Sequence, residues 1–306
     1  MTPSSMPRRI AGLAAALACV LALPVHAQSA GAASAPSSQT SSPSSSMSTA
    51  SQTPLFYRQL VPFDTQAHGR LALPPSAPDY RFAAQTNAIP LVAGEVAAAL
   101  RHYPIVFVNA PGQATPLLGV LVGTGDGRNL YVGADGQWRA RTYIPAYVRR
   151  YPFHALRVPG RDEVMLGIDA AAPWLDAGGP PLFGADGKPS ARLEQLRAFA
   201  QDFQRQGEIT EQLVKQLQEA GVLEASGLRI APPGGGEPRQ LSGFMVVSAA
   251  KLQALDAPTV HRLHQSGALA LAHGQLMSLG NLGELLPAAE SPPAAKPAKG
   301  KGKAAK

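Results

Sequence analysis

The spacing of apolar and polar residues changes twice along the chain. In "AGEVAAALRHY" (93–103) the apolar positions recur at helical intervals. The pattern stops before Pro104, as the steric restriction on a pre-proline residue requires. Unbroken apolar runs follow: "YPIVFVNA" (103–110) and "LLGVLVG" (117–123) are short, β-branched and aromatic, the signature of buried strands. "GTGDGRN" (123–129) reads as a tight turn. "LYVGADGQWRARTYI" (130–144) reads as a hairpin about Asp135-Gly136, residues that tolerate left-handed backbone. "VMLGIDA" (164–170) is a further strand candidate, and "PLFGADGKP" (181–189) repeats the Gly-Ala-Asp-Gly turn.

From Ser190 the period becomes helical. Ser190 is placed to cap a helix over 190–206, with Leu193, Leu196, Phe199, Ala200 and Phe203 on one face. A second amphipathic helix runs through Leu213, Val214 and Leu217 to Gly221. "LSGFMVV" (241–247) reads as a strand returning to the sheet, and helical stretches cover 248–255, 258–265 and 268–286. Early strands, late helices and one late strand predict an α+β fold, with a mixed or antiparallel sheet in the first half packed by helices from the second half.

Composition alters the picture at the two ends. Arg8 and Arg9 precede an apolar run of fourteen residues, Ile10 to Leu23, and Val25-His26-Ala27 is a small-x-small cleavage site. Residues 1–27 therefore read as a signal peptide cleaved after Ala27, too short for a comfortable span of about 20 residues. Cys19, the single cysteine, lies inside that run, so the mature chain is expected to have no thiol for catalysis, metal binding or disulfides. Of the 26 residues from 28 to 53, 22 are Ser, Ala, Thr, Pro or Gly and none is charged or aromatic, the composition of a disordered tether. Residues 54–287 are long enough to bury a globular core. Residues 288–306 read as a disordered Lys/Ala/Pro tail, in which Lys296, Lys299, Lys301, Lys303 and Lys306 are candidate contacts to a polyanion. Leader and tail together hold +6 of the formal charge of +7, which leaves +1 for residues 28–287. The basic balance belongs to the ends, and a basic nucleic-acid-binding body is disfavoured.

Candidate chemistry concentrates in "WRARTYIPAYVRRYPF" (138–153), which holds four arginines and five aromatic residues. Strand alternation over 138–142 would put Arg139 and Arg141 on one face. Pro145 is suited to start a helical turn. Tyr143, Tyr147 and Tyr151 then recur at every fourth residue beside Arg149 and Arg150, and Pro152 ends the turn. Arginine with tyrosine suits a carboxylate, phosphate or glycan through bidentate hydrogen bonds and stacking. The competing and favoured reading is a packed tyrosine stripe covered by arginine stems.

Other constellations are weaker. "GTGDG" lacks the G-x-G-x-x-G spacing and a following helix, so it reads as a turn needing positive φ at Gly123, Gly125 or Gly127. Ser248 and Lys251 match S-x-x-K, but Ser248 at a strand-to-helix junction reads as a cap. His261 and His264 share a helix face and His273 follows, without H-E-x-x-H or a third ligand. His68, His102 and His154 suggest no triad, and Asp64, Asp79, Glu95, Asp169 and Asp176 form no telling pair. No catalytic residue, cofactor or metal site is assigned.

Several segments taken in order resemble the SapC family of bacterial proteins: "FYRQLVPFDTQAHGRL", "YRFAAQTNAIPLVAGEVAAALRHYPIVFV", "NLYVGADGQWRARTYIPAYVRRYPF", "PLFGADGK", "LSGFMVV" and "SLGNLGEL". The resemblance runs over most of 56–286. It implies a role in surface-layer or envelope biology and supplies no reaction and no catalytic set. A permease, to which the same name is attached, needs several apolar spans, whereas the leader is the single long apolar run of this chain. The expectation is an exported periplasmic or cell-surface protein, non-catalytic, with anionic envelope polymers or surface-layer components as partners. The alternative is an enzyme or binding protein for a small anionic ligand held at Arg139, Arg141, Tyr143, Tyr147, Arg149 and Arg150.

Overall fold

The computed structural model describes residues 53–285 apart from 75, 76, 78, 111, 158–163, 176, 177 and 231–238. The expected leader, the tether up to residue 52, the lysine tail and Asp176 lie outside the described residues. Two antiparallel sheets form the framework. One joins β1 (Leu60–Pro62), β5 (Phe153–Arg157) and β6 (Val164–Asp169) in the order β1-β6-β5. The other joins β2 (Ala88–Pro90), β3 (Ile105–Val108), β4 (Leu117–Leu121), β7 (Leu223–Ile230) and β8 (Arg239–Val247) in the order β2-β4-β3-β8-β7. The helices are α1 (Thr65–His68), α2 (Val96–Ala99), α3 (Ala146–Arg149), α4 (Ala191–Glu219), α5 (Ala249–Gln253), α6 (Ala257–Ser266) and α7 (Ala268–Ser278). The α+β expectation holds, with its strands divided between two sheets.

The continuous apolar runs became β3 and β4, every residue of which is buried. The late strand β8 lies beside β3, pairing Phe107 with Met245 and Val108 with Phe244. Helix α7 is fastened to these two strands by buried polar side chains. Gln275 accepts from Val247 N (2.9 Å) and donates to the Ile105 carbonyl (3.0 Å), while Ser278 Oγ accepts from Ile105 N (2.9 Å). A Cβ at Gly274 would stand 2.7 Å from Val96 Cγ1, so glycine permits the close approach of α2 and α7.

Ser190 caps α4 as expected, its Oγ accepting from Leu193 N at 3.3 Å. The two helices expected over 190–221 are one helix of 29 residues. Glycine in a helix interior costs only about 1 kcal/mol relative to alanine. The buried stripe Phe203, Gly207, Thr210, Val214, Leu217 continues across Gly207 and outweighs that cost. Helix α4 packs on β4 of one sheet and on β5 and β6 of the other.

The expected hairpin over 130–144 is a turn without a ladder. Gly133 N donates to the Gln137 carbonyl (2.9 Å), Gln137 N to Asp135 Oδ1 (2.9 Å), and Gly136 has φ 80°. Pairing then ends at the single bridge Val132–Trp138. Arg141 turns into the left-handed region at φ 60°, so Trp138 to Thr142 is not a strand and Arg139 and Arg141 do not share a strand face. The second Gly-Ala-Asp-Gly repeats this turn, with Gly184 N on the Lys188 carbonyl (2.8 Å) and one bridge, Phe183–Pro189.

Buried side chains gather in two clusters. One surrounds β2, β3, β4 and β8 and includes Tyr147 and Phe203. The other surrounds β5 and β6 and includes Tyr57, Tyr151, Leu193 and Ala200. The segment 138–153 passes from the first cluster to the second.

Candidate functional site

Helix α3 is a single turn, so consecutive residues on it point about 100° apart. That angle separates Arg149 from Arg150. Arg149 stays exposed. Its Nε donates to the Ile144 carbonyl (3.0 Å), its Nη2 donates to the Tyr143 hydroxyl (3.1 Å), and its guanidinium lies over Tyr143 and Phe199. The Tyr143 hydroxyl donates in turn to Glu95 Oε1 (2.7 Å). Burial and the Glu95 carboxylate push the Tyr143 phenol up to about 12. Glu95 is itself buried. It also accepts from Ala146 N at the start of α3 (2.6 Å) and from Val92 N (3.2 Å), so it holds α3 against the turn that precedes α2.

Arg150 goes inward and is 2% exposed. Its guanidinium carbon is 4.1 Å from the centre of the Tyr147 ring, 4.4 Å from Phe203 and 5.9 Å from Tyr57. Its Nε and Nη2 are buried and make no hydrogen bond among the described residues. This guanidinium donates a hydrogen bond to the Tyr57 hydroxyl, and the ring faces add cation–π contacts of roughly 0.5–2 kcal/mol each against a desolvation cost of several kcal/mol.

His154 on β5 shares this neighbourhood, its ring 5.2 Å from that of Tyr57. Its Nδ1 is 2.7 Å from the Ala155 carbonyl. A carbonyl oxygen only accepts, so Nδ1 carries the proton and Nε2 is left bare; Nε2 is buried without a partner among the described residues. Burial, reinforced by the Arg150 charge, holds the imidazole down to about 3. Burial also pushes the Tyr57 phenol well above the ordinary tyrosine value.

Arg139 and Arg141 lie elsewhere. Arg139 pairs with exposed Glu284 (3.0 Å) and covers the Tyr131 ring; an exposed pair of this kind contributes about 0–1 kcal/mol. Arg141 is exposed in its left-handed turn. The structure thus brings Tyr143 and Arg149 together, and separately Tyr147 and Arg150. Tyr147 is fully buried, its hydroxyl donating to the Leu55 carbonyl (3.1 Å), and Tyr151 is buried with its hydroxyl on Asp169 Oδ2 (2.9 Å).

One wall of this region is also the wall of a cleft. Phe203, Gly207, Thr210, Glu211 and Val214 of α4 face Pro90 at the end of β2, Leu91 and Val92 after it, Pro116 before β4, and Leu117 and Leu118 within β4. They line a partly open, mostly apolar cleft. Polar groups are few. Thr210 Oγ1 is engaged, accepting from Ala93 N (2.8 Å) and donating to the Gln206 carbonyl (2.6 Å).

The remaining motifs have structural explanations. Asn87 Oδ1 accepts from Gly125 N (3.0 Å) and Gly127 N (3.1 Å), organising "GTGDG" as a turn in which both glycines have positive φ. Ser248 precedes α5 as expected, but its side chain makes no capping bond; Lys251 lies 3.7 Å from Glu224 instead. His261, His264 and His273 are exposed, and among the described residues no three metal-ligating side chains converge. His68 stacks on Phe63. No described helix is long and apolar enough to cross a membrane.

The SapC family model matches residues 63–285, most of the chain. The protein belongs to the SapC family. No curated protein and no solved structure matches it. The SapC match spans α3, Arg150, His154, Asp169 and the whole cleft, whereas the expected leader, the tether and the lysine tail fall outside it.

Sequence reasoning missed the Arg150–His154 pair and the buried role of Glu95. The i, i+4 stripe marked the tyrosines. Nothing in the spacing distinguished the arginine that covers them from the one that lies beneath.

Proposed function

We propose that this SapC protein is exported and acts without catalysis at the cell envelope or surface layer. The basic-apolar leader with its site after Ala27 carries this reading. The tail supports it, since Lys296, Lys299, Lys301, Lys303 and Lys306 give residues 288–306 a charge of +4 beside a body near neutrality. Anionic envelope polymers or surface-layer components are the corresponding partners. Fractionation with N-terminal sequencing is expected to find a chain starting at Gln28 in the periplasmic or surface fraction. A chain starting at Met1 in the cytosol would overturn the export reading. Deleting 288–306 is expected to weaken binding to envelope material at low salt and to have little effect at high salt, where screening removes the contact in both forms. Equal low-salt binding by both forms would remove the tail from the proposal.

A second reading is favoured by the state of Arg150. A buried guanidinium with two unpaired nitrogens and no carboxylate partner among the described residues suits a protein that binds a small anionic ligand at the segment 138–153.

A further inference from the structure

Three separate features meet at one point on α4. The first is the apolar cleft between α4 and the β2 and β4 segments. The second is Gly207, buried in mid-helix although a Cβ there would meet nothing within 4 Å. A glycine kept inside a helix at the expense of stability commonly marks a packing or ligand contact, and no described neighbour stands within 4 Å of a Cβ placed there. Helical side chains lean toward the N-terminus, so the space left at 207 lies over the preceding turn, beside Phe203. The third is Arg150, whose guanidinium lies against Phe203 with Nε and Nη2 unpaired among the described residues. Phe203 therefore stands between an apolar space and a buried cation with two nitrogens unpaired among the described residues. The rim carries Glu211, which disfavours an anionic head at the mouth.

We infer that cleft and arginine form one binding site for an amphiphilic monocarboxylate, its alkyl chain over Gly207 and its carboxylate on Arg150, reached when the Phe203 ring turns aside from between them. Alkyl burial against Leu91, Val92, Leu117, Leu118 and Val214 supplies affinity, and the carboxylate supplies acceptors for the two Arg150 nitrogens that are unpaired among the described residues. This inference rests on the anionic-ligand reading and narrows it to a chain-bearing acid.

Calorimetric titration of the full-length chain with octanoate, octan-1-ol and acetate tests it. Octanoate is expected to bind saturably, with octan-1-ol and acetate each at least about tenfold weaker. Arg150→Gln is expected to lower octanoate affinity by about ten- to a hundredfold, the factor for losing a charge-assisted hydrogen bond. Gly207→Leu, a good helix former that fills the cleft, is expected to abolish octanoate binding while leaving a cooperative melt. Should Arg150→Gln fail to fold, Gly207→Leu decides: octanoate binding as in the unaltered chain overturns the inference. Equal binding of octan-1-ol overturns it by removing Arg150 from the site. Arg150-dependent acetate binding that the alkyl chain does not improve overturns it but leaves the simpler anion reading standing. Absence of saturable binding by any probe overturns both.

Discussion

Replacing Asp169 with alanine is expected to destabilise the protein by about 3–5 kcal/mol, the upper range for a single substitution. Asp169 ends β6 and is fully buried. Its carboxylate accepts from Arg58 N (3.1 Å), Gln59 N (2.8 Å), Ala171 N (3.1 Å) and the Tyr151 hydroxyl (2.9 Å). Those bonds fix the entry to β1, the turn after β6 and the Tyr151 ring, which stacks on Phe82 at 4.2 Å and packs edge-on against Trp174. Each hydrogen bond to a charged acceptor is worth about 1.5–3 kcal/mol, and truncation strands several buried donors at once, although the individual losses do not add fully. Asp169→Asn keeps one acceptor oxygen but turns an NH2 group toward a donor, so an intermediate loss is expected. Urea unfolding of the two variants measures both. A loss below about 1 kcal/mol for Asp169→Ala would mean that water replaces the carboxylate and that the site is not sealed.

Asp169 illustrates what the sequence could and could not convey. The runs "YPIVFVNA" and "LLGVLVG" announced β3 and β4 because strands buried on both faces need no alternation. Ser190 announced α4 because a cap acts within one turn. Asp169 announced nothing. Two of its donors lie 110 and 111 residues away, and linear spacing holds no record of that distance. Glu95 is the same case, its partner Ala146 N being 51 residues distant. The hairpin over 130–144 was misjudged for a different reason. Asp135-Gly136 does set the turn, but Trp138 is drawn into the core, where its indole N–H donates to the Tyr103 hydroxyl (3.1 Å), and the backbone leaves the ladder to begin α3. Strand β7, "LEASGLRI", is polar and contains glycine, and it exists because β8 lies beside it over its whole length. At the site, periodicity was enough to mark Tyr147 and Tyr151 as candidates for packing. The direction of Arg150 depends on how a one-turn helix is held against α4, a tertiary fact.

Stability is expected to fall by about 2 kcal/mol between pH 7 and pH 5 through His154 alone. The sign follows from the two states. In the unfolded chain the imidazole takes up a proton near its ordinary value of 6.5; in the fold it is held near 3 by burial and by the Arg150 charge. The neutral fold is therefore fully favoured above pH 6.5. Below that value the unfolded state binds a proton that the folded state refuses, and stability drops by about 1.4 kcal/mol per pH unit until the folded value is approached. The Nδ1 bond to the Ala155 carbonyl works in the opposite direction and does not reverse the shift. Urea unfolding at half-unit steps from pH 7 to pH 5 measures the slope, and His154→Gln provides the comparison. The variant is expected to be less stable at pH 7, because its amide must fit the same buried space, yet to have a distinctly shallower dependence on pH. Slopes that coincide for the two proteins would show that His154 reaches solvent in the native state and that the Arg150 neighbourhood is wetter than its geometry indicates.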